Sequence, residues 1–309
     1  MAEEQTQEAA RPKRPPPTND QLVEGLKTLL DLEELDTDLY RGSQPPRSSG
    51  GGQGRVFGGQ VIAQALMAAT RSSDPERVAH SLHAYFMRPG DESVPIVFRV
   101  ERDFDGRTFA TRRVIAIQKG RPILNMAASF QMPEKGLEHQ VAMPDVPMPE
   151  DLPTENERIQ EHADTFPPDL LKFITRRRPI EMRPVDDYVP WAPKKTEPRM
   201  HRWFRAVAPI GEDATMHRAI LAFATDLTLL GTALMPHGVG WITHKLQSAS
   251  LDHAVWIHDP DVKLDEWLLF ATDSPWSGEG RGYNRGLIFS RDGRLVASTT
   301  QEGLIRLRE

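Results

Sequence analysis

The segment Ser81-Leu82-His83-Ala84-Tyr85-Phe86 returns, with one residue inserted, as Ser250-Leu251-Asp252-His253-Ala254-Val255-Trp256. Each copy is followed by a proline, Pro89 and Pro260. Gly106-Arg107-Thr108-Phe109 is echoed by Gly280-Arg281-Gly282-Tyr283, and the turn Lys119-Gly120-Arg121 by Asp292-Gly293-Arg294. Both copies then run into an Ala-Ser-containing strand ending at Gln131 and Gln301. Anchors in one order, about 170 residues apart, exceed what chance matches of a few residues produce, and a repeat of this length governs every later statement about the fold. The chain is two unequal copies of one unit.

Each copy opens with an apolar helix, Gly58 to Leu66 in the first and Ala219 to Leu234 in the second. Strands rich in β-branched and aromatic residues follow. From Pro95 to Glu101 the residues alternate, Ile96, Phe98 and Val100 on one side and Val97, Arg99 and Glu101 on the other, the period of a half-buried strand. Lys119-Gly120 and Asp292-Gly293 are placed as hairpin turns. One helix followed by an antiparallel meander is an α+β unit, not a doubly wound parallel one.

The flanking segments divide the chain further. Residues 1–20 begin acidic, turn to proline and arginine, and are expected as a disordered tail without the apolar core of a signal peptide. Residues 21–133 form the first unit, 134–176 a linker and 177–309 the second unit. Twelve of the 26 prolines fall between Pro133 and Pro198, so that stretch is expected to wrap the surface, with a short helix near Asn156 to Ala163. The apolar run Ala219 to Met235 contains Asp226 and is shorter than the roughly 20 residues a span needs, so it reads as a buried helix. The C-terminal LIRLRE is not a peroxisomal or reticular address, and cytoplasm is the expectation. A net charge of −6 gives no reason to expect nucleic-acid binding. The absence of cysteine removes disulfides, thiolate metal sites and a cysteine nucleophile together.

Asp226 is the most informative residue. On a continuous helix its one-turn neighbours are Ala222, Phe223, Leu229 and Leu230, all apolar, so a carboxylate sits on the buried stripe and calls for a partner or a function. Alternatively the helix ends near Thr225 and Asp226 caps the next segment, Leu227 onward. Ser250 lies beside Asp252 and His253, but neighbouring strand residues point to opposite faces, so local spacing makes no triad and Ser250 is an ordinary strand hydroxyl unless context says otherwise. There is no Gly-x-Ser-x-Gly elbow. Gln301 shares a strand face with Leu295, Ala297 and Thr299; an inward glutamine needs hydrogen-bond partners, structural or catalytic. The Gly-rich stretch 48–54 lacks a P-loop ending and reads as a flexible loop. The ten histidines show no metal-ligand spacing, so neither metal nor cofactor is expected. Arg55, Arg88 and Arg281 could meet a phosphate.

Three first-half motifs, Val56-Phe57-Gly58-Gly59-Gln60-Val61, His80 through Asp91, and Ala128-Ser129-Phe130-Gln131, resemble the acyl-CoA thioesterase II, or TesB-type, family. So do Ala224-Thr225-Asp226-Leu227, Met235-Pro236-His237-Gly238, Ser250-Leu251-Asp252-His253, Asp265 through Leu269 and Val296 through Gly303 in the second half. The resemblance covers roughly residues 21 to 309. It implies a double hotdog, in which each copy is a long helix wrapped by an antiparallel sheet and the two pair as a pseudo-dimer. It also implies hydrolysis of acyl-CoA to free fatty acid and CoA, within lipid metabolism, by a water activated through Asp226, Ser250 and Gln301. His80 matches a family histidine but is not counted as catalytic. The Gly58-Gly59 region is a candidate oxyanion donor, and the first copy is otherwise expected to pair with the second and shape the acyl pocket. By analogy a homo-oligomer, dimer or tetramer, is expected. The alternatives are a non-catalytic acyl-CoA binder and a hotdog enoyl-CoA hydratase, the second lacking its Asp, Asn-Pro and His motif here.

Overall fold

The computed structural model describes residues 15–43, 54–187 and 189–308. Residues 1–14 of the expected tail and 48–53 of the Gly-rich loop lie outside them.

The first copy comprises α1 (Asn19–Leu30), β1 (Leu32–Asp36), β2 (Leu39–Gly42), α2 (Gly58–Arg71), β3 (Val78–Phe86), β4 (Ile96–Asp105), β5 (Phe109–Gln118) and β6 (Arg121–Gln131). The short helices α3 (Glu155–Gln160) and α4 (Pro168–Ile174) follow. The second copy has β7 (Ile180–Pro184), β8 (Arg199–Ala206), α5 (Ala214–Thr225), β9 (Leu246–Ser250), β10 (Asp252–Ile257), β11 (Leu268–Gly278), β12 (Arg281–Ser290) and β13 (Leu295–Leu307). A 3-10 helix, Leu229–His237, joins α5 to β9.

Helix α1 begins two residues inside the expected tail. Thr18 and Gln21 form a reciprocal capping box that starts it, and Val23, Leu26 and Leu30 form its buried stripe. In α2 every residue from Gly59 to Ala69 is buried, as a helix at the centre of a wrapped sheet must be. The alternation in β4 holds, with Ile96, Phe98 and Val100 buried. Both hairpin turns are present: Lys119 and Gly120 take positive φ between β5 and β6, and so does Gly293 between β12 and β13.

All strand pairs are antiparallel in one sheet ordered β1-β2-β4-β5-β6-β3-β10-β13-β12-β11-β8-β7, with β9 on the far half of β13. At its centre the repeated motif pairs with itself: β3 runs against β10, Leu82 opposite Val255 and Ala84 opposite His253. Inside, α2 lies on α5, with the Phe57 and Phe223 rings edge to face at 5.0 Å. This is an α+β double hotdog.

The proline-rich connection does more than cross the surface. Met143, Val146 and Leu152 cover Trp203, Trp267, Leu269 and Phe289 on the outer face of the second copy, where Trp203 Nε1 donates to Pro147 O at 2.9 Å. Ala214–His237 is the one stretch among the described residues long and apolar enough to cross a membrane, and two thirds of it is core.

Candidate active site

Asp213 starts α5, its carboxylate accepting from Thr215 N (2.9 Å) and Met216 N (3.3 Å). The helix stops at Thr225, so the expected continuous helix from Ala219 to Leu234 is two elements, and Asp226 is the C-cap with φ −87° and ψ −7°. The 3-10 helix that follows takes Thr228 as its N-cap, so Asp226 ends α5 as the alternative reading expects but does not cap the next segment. Its side chain is nonetheless only 5% exposed, because α5 ends against the start of α2. That start has no side-chain cap. Its Gly59 N–H reaches the Asp226 carboxylate, which so serves as a tertiary cap on the positive end of α2.

Glycine makes this approach possible. A Cβ on Gly58 would lie 2.7 Å from Asp226 Oδ2, and one on Gly59 would lie 2.5 Å from Phe223 O. Replacing Gly59 would push α2 off α5, so its N–H cannot be probed by a larger residue there. Engaged with Asp226, the Gly59 N–H is not free to receive an oxyanion.

Ser250, the last residue of β9, stands opposite Gly303 of β13, and Gln301 lies two residues earlier on β13, fully buried. Gln301 Nε2 donates to Asp226 Oδ1 at 2.6 Å and to Ser250 Oγ at 2.9 Å. An ionised carboxylate only accepts, which fixes the amide orientation and leaves Gln301 Oε1 as a buried acceptor without a protein partner. Ser250 Oγ, already accepting, keeps its own hydrogen for Asp226 Oδ1 at 3.5 Å or for a ligand. Burial pushes the Asp226 carboxyl up to about 6, against the pull of Gln301, the Gly59 N–H and Ser250. At neutral pH the carboxyl is ionised, and among the described residues no cation lies beside it.

Neighbouring residues sort as their faces dictate. Asp252 accepts from Glu302 N at 2.6 Å and takes no part with Asp226, so Ser250, Asp252 and His253 form no triad. His253 is fully buried, and burial holds it down to about 3, so its ring, 4.0 Å from Asp226 Oδ1, is neutral and makes no ion pair. His80 bonds Ser129 Oγ at 2.9 Å. Gln131, the apparent echo of Gln301, faces the other way and donates to Glu134, while Phe130 beside it points inward. Among the described residues no group of three or more His, Asp or Glu side chains could hold a metal ion.

Ser250 and Gly58 open onto a groove of about 440 Å³ that Arg55 and Arg88 also line. Val56, Val61, Phe86 and Ile123 of the first copy form its apolar wall, and Gln247 to Leu251 of the second copy the opposite wall. Arg281 is elsewhere, paired with Glu302 and Glu279. The site is thus composite. The part played by Gly58 and Gly59 in seating Asp226 is a helix-to-helix contact that no local pattern encodes.

Residues 46–131 match the family described as acyl-CoA thioesterase N-terminal domain, and residues 149–305 match acyl-CoA thioesterase C-terminal domain. The chain is 40% identical over 288 residues to acyl-CoA thioesterase 2 of Haemophilus influenzae, covering 93% of this chain and 99% of that one. It is 39% identical to human acyl-coenzyme A thioesterase 8, covering 91% and 88%. The crystal structure of an acyl-CoA thioesterase II from Mycobacterium marinum superposes with a TM-score of 0.74 at 40% identity, covering 93% and 98%.

Proposed function

This chain belongs to the TesB-type acyl-CoA thioesterase II family and hydrolyses acyl-CoA thioesters, and on that premise we propose that Asp226, Ser250 and Gln301 activate the water that does so. The carrying observation is the bridge: one amide nitrogen, Gln301 Nε2, ties Asp226 Oδ1 at 2.6 Å to Ser250 Oγ at 2.9 Å beside an apolar groove. Water bound among them loses a proton to Asp226 as its oxygen attacks the thioester carbon. The tetrahedral intermediate then expels the CoA thiolate, which takes the proton back from Asp226, leaving free acid and CoA. General-base help of this kind contributes about 10²- to 10⁴-fold. The positive end of α2 faces the same point and favours the negative charge that develops there.

The acyl chain lies along Val56, Val61, Phe86 and Ile123, and the phosphates of CoA meet Arg55 and Arg88. Replacing either arginine by alanine is expected to raise KM several-fold at unchanged kcat. The enzyme acts in fatty-acid metabolism in the cytoplasm, where a cysteine-free chain makes no demand on an oxidising compartment. It works as a homo-oligomer, a dimer or tetramer, which light scattering on the purified protein checks.

The absence of thiols lets CoA release be followed directly with a thiol reagent, using wild type and the alanine variants of Asp226, Ser250 and Gln301. Loss of most of the rate in all three variants, with folding intact, is the expected result. An unaffected Asp226→Ala would remove the mechanism, and acyl-CoA binding by wild type without release would make the protein a binder.

A further inference from the structure

His253 is the buried ionisable group that this hydrolysis leaves unused. It sits on β10 at the seam between the copies, opposite Ala84 of β3. Its Nε2 is 2.9 Å from Thr225 Oγ1 and 3.3 Å from Thr299 Oγ1. Each threonine hydroxyl has a single hydrogen. Thr225 gives it to Ala222 O at 2.9 Å and Thr299 to Ala254 O at 2.8 Å. Both oxygens can then only accept from the ring, so the ring hydrogen is on Nε2. Nδ1 is left with a bare lone pair, buried and without a hydrogen-bond partner, 4.0 Å from Asp226 Oδ1.

We propose that His253 is a positioning residue for Asp226, presenting a fixed lone pair that disfavours the carboxylate and so makes Asp226 a stronger base toward the attacking water. The negative end of the imidazole dipole faces the carboxylate, opposing the donors that would weaken it. Those donors are the Gly59 N–H of α2, Ser250 of β9 and Gln301 of β13, none of which titrates in the working range. His253 of β10 is the one other ionisable group facing Asp226 among the described residues, and burial keeps it neutral. The two threonines hold the ring so that it cannot turn its N–H toward the acid. The inference rests on Asp226 being the base.

The first measurement needs no substitution. In protein labelled with ¹⁵N-histidine, between about pH 5 and 8, His253 is expected to show an unprotonated Nδ1 and a protonated Nε2. The opposite tautomer, or a doubly protonated ring, overturns the proposal. The resonance is identified by its loss in His253→Leu, which removes the lone pair and leaves both threonine hydroxyls donating to Ala222 O and Ala254 O. In that variant the acid limb of kcat/KM is expected to move down by about one pH unit with KM for acyl-CoA unchanged. A limb that stays in place, or a change confined to KM, overturns the proposal. Asp226→Asn run in parallel separates the two layers: if it remains active, the reading of the site falls and this one with it. If it is inactive while the His253→Leu limb is unmoved, only the role of His253 falls.

Discussion

At the end of α5 the capping residue is Asp226, buried and met by neutral donors, whereas at the end of α2 it is Ser72, buried beneath an arginine. Arg112 of β5, 1% exposed, donates to Ser72 O and Oγ, to Phe104 O and to the Asp105 carboxylate at 2.6 Å. On the second copy β12 turns Asn284 and Gly286 inward and brings no charge to the corresponding end. Two copies of one unit have thus separated by where they leave a charge uncompensated. One helix end is met by a cation; the other holds a buried carboxylate met by neutral donors.

The contrast breaks most visibly at Asp226. Asp226→Asn is expected to lower kcat about 10²- to 10⁴-fold while making the protein more stable. The folded carboxyl is raised to about 6 from an ordinary value of 3.8, so ionising it costs stability above both values. That cost, up to about 3 kcal/mol, fades as pH falls through 6 and is mostly gone by pH 4, where the unfolded carboxyl is itself taking up its proton. Urea unfolding of the two proteins at pH 8 and pH 4 checks it, and kcat/KM of wild type should fall with one proton below about pH 6. A stability gain that persisted at pH 4 would assign it to something other than the buried charge.

Gly58→Ala places a methyl against Asp226 Oδ2 and the end of the Phe86 ring, and is expected to cost about 10- to 100-fold in kcat with the fold retained. Steady-state kinetics with a circular-dichroism control decide this. Arg112→Leu should do the reverse of Asp226→Asn. It leaves Ser72, Phe104 and Asp105 without their donor and is expected to cost about 2 to 3 kcal/mol of stability at unchanged kcat. Lost activity at full stability would instead tie the α2 end to catalysis. The smallest effect is the sharpest comparison: adding Ser72→Asp to Asp226→Asn should restore no activity, because Arg112 would pair with the new carboxylate.

The duplication was legible because it lies in side-chain identity, but that the repeated motif meets its own copy at the seam was not read from it. The length of α5 was not legible. Leu227 to Met235 is as apolar as the helix before it, and hydrophobicity does not distinguish an α-helix from a 3-10 helix folded back over β12. Helix α1 had a readable signal in Thr18 and Gln21 ahead of Val23, Leu26 and Leu30, but the neighbouring prolines drew the tail over it. Asp226 stood out because a carboxylate amid apolar residues is improbable at any helix position. Its surroundings did not stand out: Gly58 and Gly59 owe their importance to a contact between copies, and His253 to contacts with Thr225, Thr299 and Asp226, which lie far apart in sequence.

The seam also sets a timetable. Strand β3, with Leu82 and Ala84, and helix α2, buried all round, leave the ribosome long before β10 and α5 exist to cover them. At ordinary synthesis rates that interval is on the order of ten seconds, during which the first half offers an open apolar strand edge to any neighbour. Two first halves on adjacent ribosomes present the same strand to each other, so dimers of unfinished chains compete with the finished molecule for its central pairing.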